Sequence, residues 1–178
     1  MDPNPDPNDK PTGVRPQSPP EQQAWQATLD DMEAIEAERR EDGWDVTSMF
    51  AIHVNPKNRD VGDDDRFGLS FVIPDNKADA FEDAYERGEF PEYLVYRREV
   101  KQSTFIVTEY IDPESGTIIL VAGRYDSRYA AGMVQSALDE GEFYTYVQTI
   151  DGTDLGEFYH EDLEAFVGTD EDTDPEDD

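Results

Sequence analysis

The sequence contains no cysteine. That excludes thiolate nucleophiles, cysteine-ligated zinc or iron–sulfur centres and disulfide staples, and it fits a cytoplasmic chain. Lysine is scarce: Lys10, Lys57, Lys77 and Lys101 are four of only fourteen basic residues. With no basic stripe to neutralise phosphates, direct binding to nucleic acid is not expected. Long apolar runs are missing too, so no transmembrane helix and no membrane association are expected. The first residues, Met1 to Asp6, have neither the basic nor the apolar region of a signal peptide. Histidine is limited to His53 and His160, with no metal-binding spacing between them, and neither a metal nor a cofactor is expected. Nucleophile elbows of the G-x-S-x-G type and glycine-rich phosphate loops are absent as well. Catalysis is therefore not the expected role.

Acid is what the chain has in excess. Its 178 residues carry 44 Asp and Glu against 14 Lys and Arg, a formal charge of -30. A mimic of nucleic acid usually gathers such charge in blocks. Here the acids are spread over helices, loops and both ends, which is the pattern of a halophilic protein in a salt-rich cytoplasm. At molar ionic strength the Debye length falls to about 3 Å, and self-repulsion is screened. The same abundance weakens every reading of an acidic cluster. Asp63, Asp64 and Asp65 are adjacent, whereas a calcium loop needs alternating acids and a distal Glu, so a solvated loop is expected there.

Residues 1–20 are rich in Pro, Asp and Asn, and residues 168–178 form an acidic block. Neither can bury enough to offset its ordering entropy, and both are expected to be disordered tails around a single domain at 21–167. Within it, Trp25, Leu29, Met32 and Ile35 fall on one helical face, predicting a helix from Glu21 to Asp42 closed by Gly43. Trp44, Val46, Phe50, Ile52 and Val54 share one parity and predict a half-buried strand from Trp44 to Val54. A strand is expected over Phe67–Ile73, and a helix capped by Asp75 or Asn76 runs on to Arg87. Strands follow at Tyr93–Val100, from Thr104 and from Thr117, the last two joined by the turn Asp112–Gly116. A helix with Ala130, Met133, Val134, Ala137 and Leu138 on its inner stripe ends at Gly141. Strands at Phe143–Ile150 and Leu155–Tyr159 flank Asp151–Gly152, and a short helix is expected over Glu161–Val167. The order predicts an α+β fold: a mostly antiparallel sheet with helices on one face, related to the ferredoxin-like arrangement with extra strands.

One constellation suggests a site. Arg124, Ser127 and Arg128 lie where a strand feeds a helix, where backbone N–H groups and guanidinium donors can hold a small anion or nucleotide. Arg97 and Arg98 sit on a strand that can neighbour it, and Tyr125 and Tyr129 can stack on a ring. The competing reading pairs these arginines with local acids such as Asp126. His53 and His160 read as surface or capping residues, the latter opening the last helix.

The segments Phe67 to Asn76, Phe90 to Arg97, Tyr144 to Val147 and Phe158 to Asp162 resemble a family of small acidic haloarchaeal proteins of unknown function. The resemblance runs from about Trp25 to Phe166. It implies a haloarchaeal cytoplasmic origin and brings no active site with it. The expected role is a non-catalytic binding protein with a protein partner, since nine tyrosines, several on strands, suit an interaction surface. A small-anion sensor at Arg124 and Arg128 and an enzyme with an unrecognised site are the alternatives. The oligomeric state is not legible in the sequence.

The charge of -30 over a modest core makes folding salt-dependent. Circular-dichroism melts should show the midpoint rising steeply from dilute buffer to molar KCl. A midpoint flat across that range would refute the reading.

Overall fold

A computed structural model describes residues 18–57 and 68–161. Most of both expected tails, the Asp63–Asp65 loop and the expected helix at 161–167, beyond its first residue, lie outside the described residues. The order is α1 (Pro19–Glu41), β1 (Asp45–Phe50), β2 (His53–Lys57), β3 (Gly68–Val72), α2 (Ala78–Tyr85), β4 (Glu92–Val100), β5 (Ser103–Asp112), β6 (Thr117–Asp126), α3 (Ala131–Glu140), β7 (Phe143–Gln148) and β8 (Asp154–His160). The fold is α+β, as the element order predicts. The strands divide between two mixed sheets of four. The first runs β1-β6-β5-β4 and the second β2-β3-β7-β8. Each contains one parallel pair, β1 with β6 and β3 with β7, among otherwise antiparallel neighbours.

Helix α1 starts two residues earlier than its apolar stripe suggests, because Ser18 and Glu21 form a capping box. The Ser18 hydroxyl accepts from the Glu21 N–H, and the Glu21 carboxylate accepts from the Ser18 N–H at 2.9 Å. The helix lies on one face of the first sheet. Met32 is buried there with Val46, Val107, Ile118, Leu120 and Ala122, and Trp25, Leu29 and Ile35 pack at the margin. The opposite face of the same strands turns inward. Met49, Ile106, Tyr110, Ile119, Val121 and Tyr125 meet Val54, Leu69, Phe71, Phe143, Val147 and Phe158 of the second sheet, with Phe81 and Ala84 of α2 and Met133 and Ala137 of α3. Strand β6 is thus apolar at successive positions because both its faces are covered. Each large side chain fully buried in such a core contributes about 1.5–3 kcal/mol.

The predicted strand Trp44–Val54 is two strands in two sheets. The Ala51 N–H still bonds to Ala122 O at 2.7 Å, continuing the β1–β6 ladder, whereas the Ile52 N–H bonds to Val72 O at 2.8 Å and opens the β2–β3 ladder. The chain crosses between sheets at this step, which inverts the parity. Val46 faces α1, Met49 and Ala51 face the core, and Phe50 and Ile52 emerge at 44% and 49% exposure. At the crossing β2 runs close over Gly123 of β6. A Cβ there would stand 2.5 Å from Val54 Cγ2 and 3.3 Å from the Phe71 ring.

Gly123→Ala forces two well-packed side chains off their positions, and overpacking of this kind costs about 1–3 kcal/mol. Chemical denaturation should show a loss of that size with the fold retained. A variant as stable as the wild type would show that the crossing has slack.

Candidate functional site

The arginine corner is built by the β5–β6 hairpin and the turn after it. Asp126 caps a short 3-10 turn, Ser127–Tyr129, by accepting from the Arg128 N–H at 3.0 Å. The same carboxylate holds the Arg128 side chain through two bonds of 3.0 and 2.7 Å. Arg124 alternates with Ala122 and Leu120 and so faces α1. One of its terminal nitrogens donates to Ser103 Oγ at 2.9 Å, and Ser103 donates to the buried Glu21 carboxylate at 2.6 Å. Ser127 shares a 2.7 Å hydrogen bond with Thr104. Arg98 pairs with Asp31 of α1 at 2.5 Å, and Arg97 pairs with Glu99 at 3.0 Å. Arg97 and Arg98 lie on opposite faces of β4, since Tyr93 and Val95 point to the inner core and Tyr96 to α1. The five residues named from the sequence therefore fall on one end of the first sheet and each engages a protein partner. An anion there has carboxylates and hydroxyls to displace.

A second cluster joins the two sheets through the core. The buried Tyr110 hydroxyl lies 2.7 Å from Thr145 Oγ1, which lies 2.9 Å from His160 Nε2. Tyr110 stacks on Phe158 with centroids 3.7 Å apart, and Tyr93 meets the His160 ring edge-on at 4.3 Å. His160 is not the surface residue its sequence position suggests. It is the last residue of β8 and is 1% exposed. Burial alone pushes its imidazole down to about 3, and burial pushes Tyr110 up to about 12. Neither group exchanges protons near neutrality, which suits a structural line better than acid–base catalysis.

The third arrangement lies under α1. Glu109, with no exposed surface, accepts from Arg39 Nε at 2.6 Å, from an Arg39 terminal nitrogen at 3.2 Å and from Tyr96 Oη at 2.8 Å. The Glu109 bond holds Arg39 above its ordinary value, and burial with that carboxylate lifts Tyr96 to about 12. The fork satisfies a charge that would otherwise be very costly to bury. Sequence reading missed this site because Glu109 alternates with no visible partner. Arg39 is seventy residues away and reads equally well as a dipole-matched helix end. Among the described residues no group of three or more His, Asp or Glu is placed to hold a metal ion, and no described helix is long and apolar enough to cross a membrane.

The chain belongs to a family of unknown function, Family of unknown function (DUF7529), whose model matches residues 13–168. No curated protein and no solved structure matches it. Chemistry therefore has to be argued from these side chains. The depressed His160 value has a definite sign. The folded imidazole resists protonation while the unfolded one gains a proton below about 6.5, so stability is full above that pH and declines as pH falls towards about 3. Over this window the slope is at most about 1.4 kcal/mol per pH unit. Wild type should lose more stability between pH 7 and pH 5 than His160→Gln, which removes the titrating group. Parallel losses in the two proteins would mean that His160 titrates normally in the fold.

Proposed function

We propose that this member of the family is a non-catalytic, salt-adapted cytoplasmic protein that acts by binding a basic partner protein. The observation that carries this reading is a tyrosine ridge on the β7–β8 hairpin. Tyr144 and Tyr159 are register partners with ring centroids 5.5 Å apart, and the buried Tyr146 supports Tyr144 from behind at 6.0 Å. Tyr159 is 52% exposed. Carboxylates flank the ridge: the Tyr144 hydroxyl donates to Glu142 at 2.6 Å, which lifts it to about 12, and Glu157 is exposed opposite Tyr146. Flat ring faces bordered by acids suit lysine and arginine side chains. Tyrosine also brings large contact area with few rotatable bonds. In molar salt, attraction between surface charges separated by more than about 3 Å is screened, whereas ring contacts depend on short-range packing and on desolvation, so a salt-adapted binder gains from an aromatic surface. The internal use of Glu109, Tyr110 and His160 supports a non-catalytic role.

An anion sensor at Arg124 and Arg128 is the second reading, and an enzyme with an unrecognised site is the third. Affinity capture in molar KCl, comparing wild type with Tyr144→Ser/Tyr159→Ser, separates these readings. The wild type should retain a basic protein that the variant loses at least tenfold. Equal retention would sink the ridge. A phosphate-dependent rise in melting temperature that Arg124→Gln/Arg128→Gln abolishes would move the function to the corner instead.

A further inference from the structure

Strand β4 is the edge of the first sheet. Among the described residues it pairs on one side only, with β5. All nine of its residues, Glu92 to Val100, retain some exposure, and Leu94 is 45% exposed. A nine-residue edge of this kind is a template for another strand, and proteins ordinarily guard such an edge. Arg97, Arg98 and Glu99 could be that guard. Their order suggests something more specific.

We propose that β4 pairs antiparallel with β4 of a second copy of this chain, about a two-fold axis through Val95. The axis stands perpendicular to the sheet, so each residue must meet one of its own parity. Three registers near the middle of the strand meet that condition. Centred on Leu94, the register sets Glu92 against Tyr96 and brings Pro91 into the seam opposite Arg97. Centred on Tyr96, it sets Leu94 against Arg98, Tyr93 against Glu99 and Glu92 against Val100. Centred on Val95, it sets Glu92 against Arg98, Tyr93 against Arg97 and Leu94 against Tyr96, each twice, with Val95 against itself. Only the last gives two opposite-charge pairs, two tyrosine–arginine pairs and an apolar centre, which are the favourable cross-strand combinations.

The charge of the segment permits the pairing. Glu92 to Arg98 holds one acid and two bases, so it is locally cationic in a chain of charge -30. The existing partners do not forbid it. Arg98 and Asp31 are both about half exposed, and such a pair is weak enough for Arg98 to be shared with a second carboxylate. Leu94, otherwise an exposed leucine on the outer face, would be covered by Tyr96 of the other copy. The seam would join two first sheets into one of eight strands. The tyrosine ridge lies on the second sheet, so a monomeric protein would leave the proposed function standing.

The absence of cysteine makes the register directly testable. Opposed residues in an antiparallel pair bring Cα atoms to about 4.5–5.5 Å, within disulfide reach. In molar KCl, light scattering should give about twice the 20.2 kDa chain mass, and Leu94→Lys should weaken association at least tenfold with an unchanged circular-dichroism spectrum. Copper-phenanthroline oxidation should link Val95→Cys into a covalent dimer and leave Gln102→Cys monomeric. Should Leu94→Lys fail to fold, the charge variants decide. Glu92→Arg should dissociate the dimer, and adding Arg98→Glu should restore it. A monomeric wild type, a dimer indifferent to Leu94→Lys, equal cross-linking of both cysteine variants, or no recovery in the double charge variant would each overturn the proposal.

Discussion

Everything in this fold depends on the step from Ala51 to Ile52, where one extended segment leaves the first sheet and enters the second. Two consecutive backbone N–H groups bond to strands of different sheets. A buried backbone amide must find a partner, so these two bonds fix both ladders at once. The first sheet then has to bring β6 directly beneath β2, and the close approach leaves no room for a side chain at position 123. The glycine serves proximity here rather than flexibility. Its absence of Cβ lets Val54 and Phe71 close over β6 and makes one core from two sheets.

Once both faces of the first sheet are covered, its polar residues must be satisfied from within. Among the described residues, Glu21 and Glu109 are the two buried carboxylates on the side of α1, and each is anchored differently. Glu21 caps its own helix and accepts from Ser103, which ties the start of α1 to β5. Glu109 takes the fork of Arg39 near the other end of the helix. The two anchors are 18 residues apart on α1, about 27 Å at 1.5 Å per residue. They fix the helix along its length as an apolar stripe alone would not, because methyl contacts tolerate sliding and charge-assisted hydrogen bonds do not. Breaking either leaves a buried charge, which is why such pairs constrain geometry even where they add little net stability.

Local signals of the fold were legible and long-range ones were not. The β5–β6 hairpin, the Asp112–Gly116 turn and the left-handed Gly141 that ends α3 were readable because each is decided within a few residues. The division into two sheets was not readable. Trp44 to Val54 alternates well enough to be one strand, and the inversion of parity at the crossing comes from Val72 and Ala122, twenty or more residues distant. Residues 75 and 76 were expected to cap α2, but a 3-10 turn intervenes and no side chain caps it. The placing of His160 failed for a similar reason. Beside Glu161 and Asp162 it looks solvated, and its burial comes from side chains of other strands, Thr145, Tyr110 and Tyr93 among them. The arginines were found as positions, while their partners, Asp31 and Ser103 among them, belong to elements the spacing could not bring together.

The use of arginine links the acidity to the surface. Arg39, Arg40, Arg87, Arg97, Arg98 and Arg128 all form ion pairs with acids of the same chain. The pairing is mostly short-range in space, so each arginine is largely neutralised where it stands and the excess acid is left to face solvent. An approaching molecule meets carboxylates nearly everywhere, and in concentrated salt those carboxylates exert little pull beyond a few ångströms. For the proposed salt-adapted binding role, discrimination comes from features that act at contact: ring faces, backbone edges and shape. The outer face of β7–β8 offers the first and the edge of β4 the second, and they lie on different sheets. Two proposed contact surfaces on separate sheets could be occupied together without competing, so self-association through one would double the number of binding faces presented by the other.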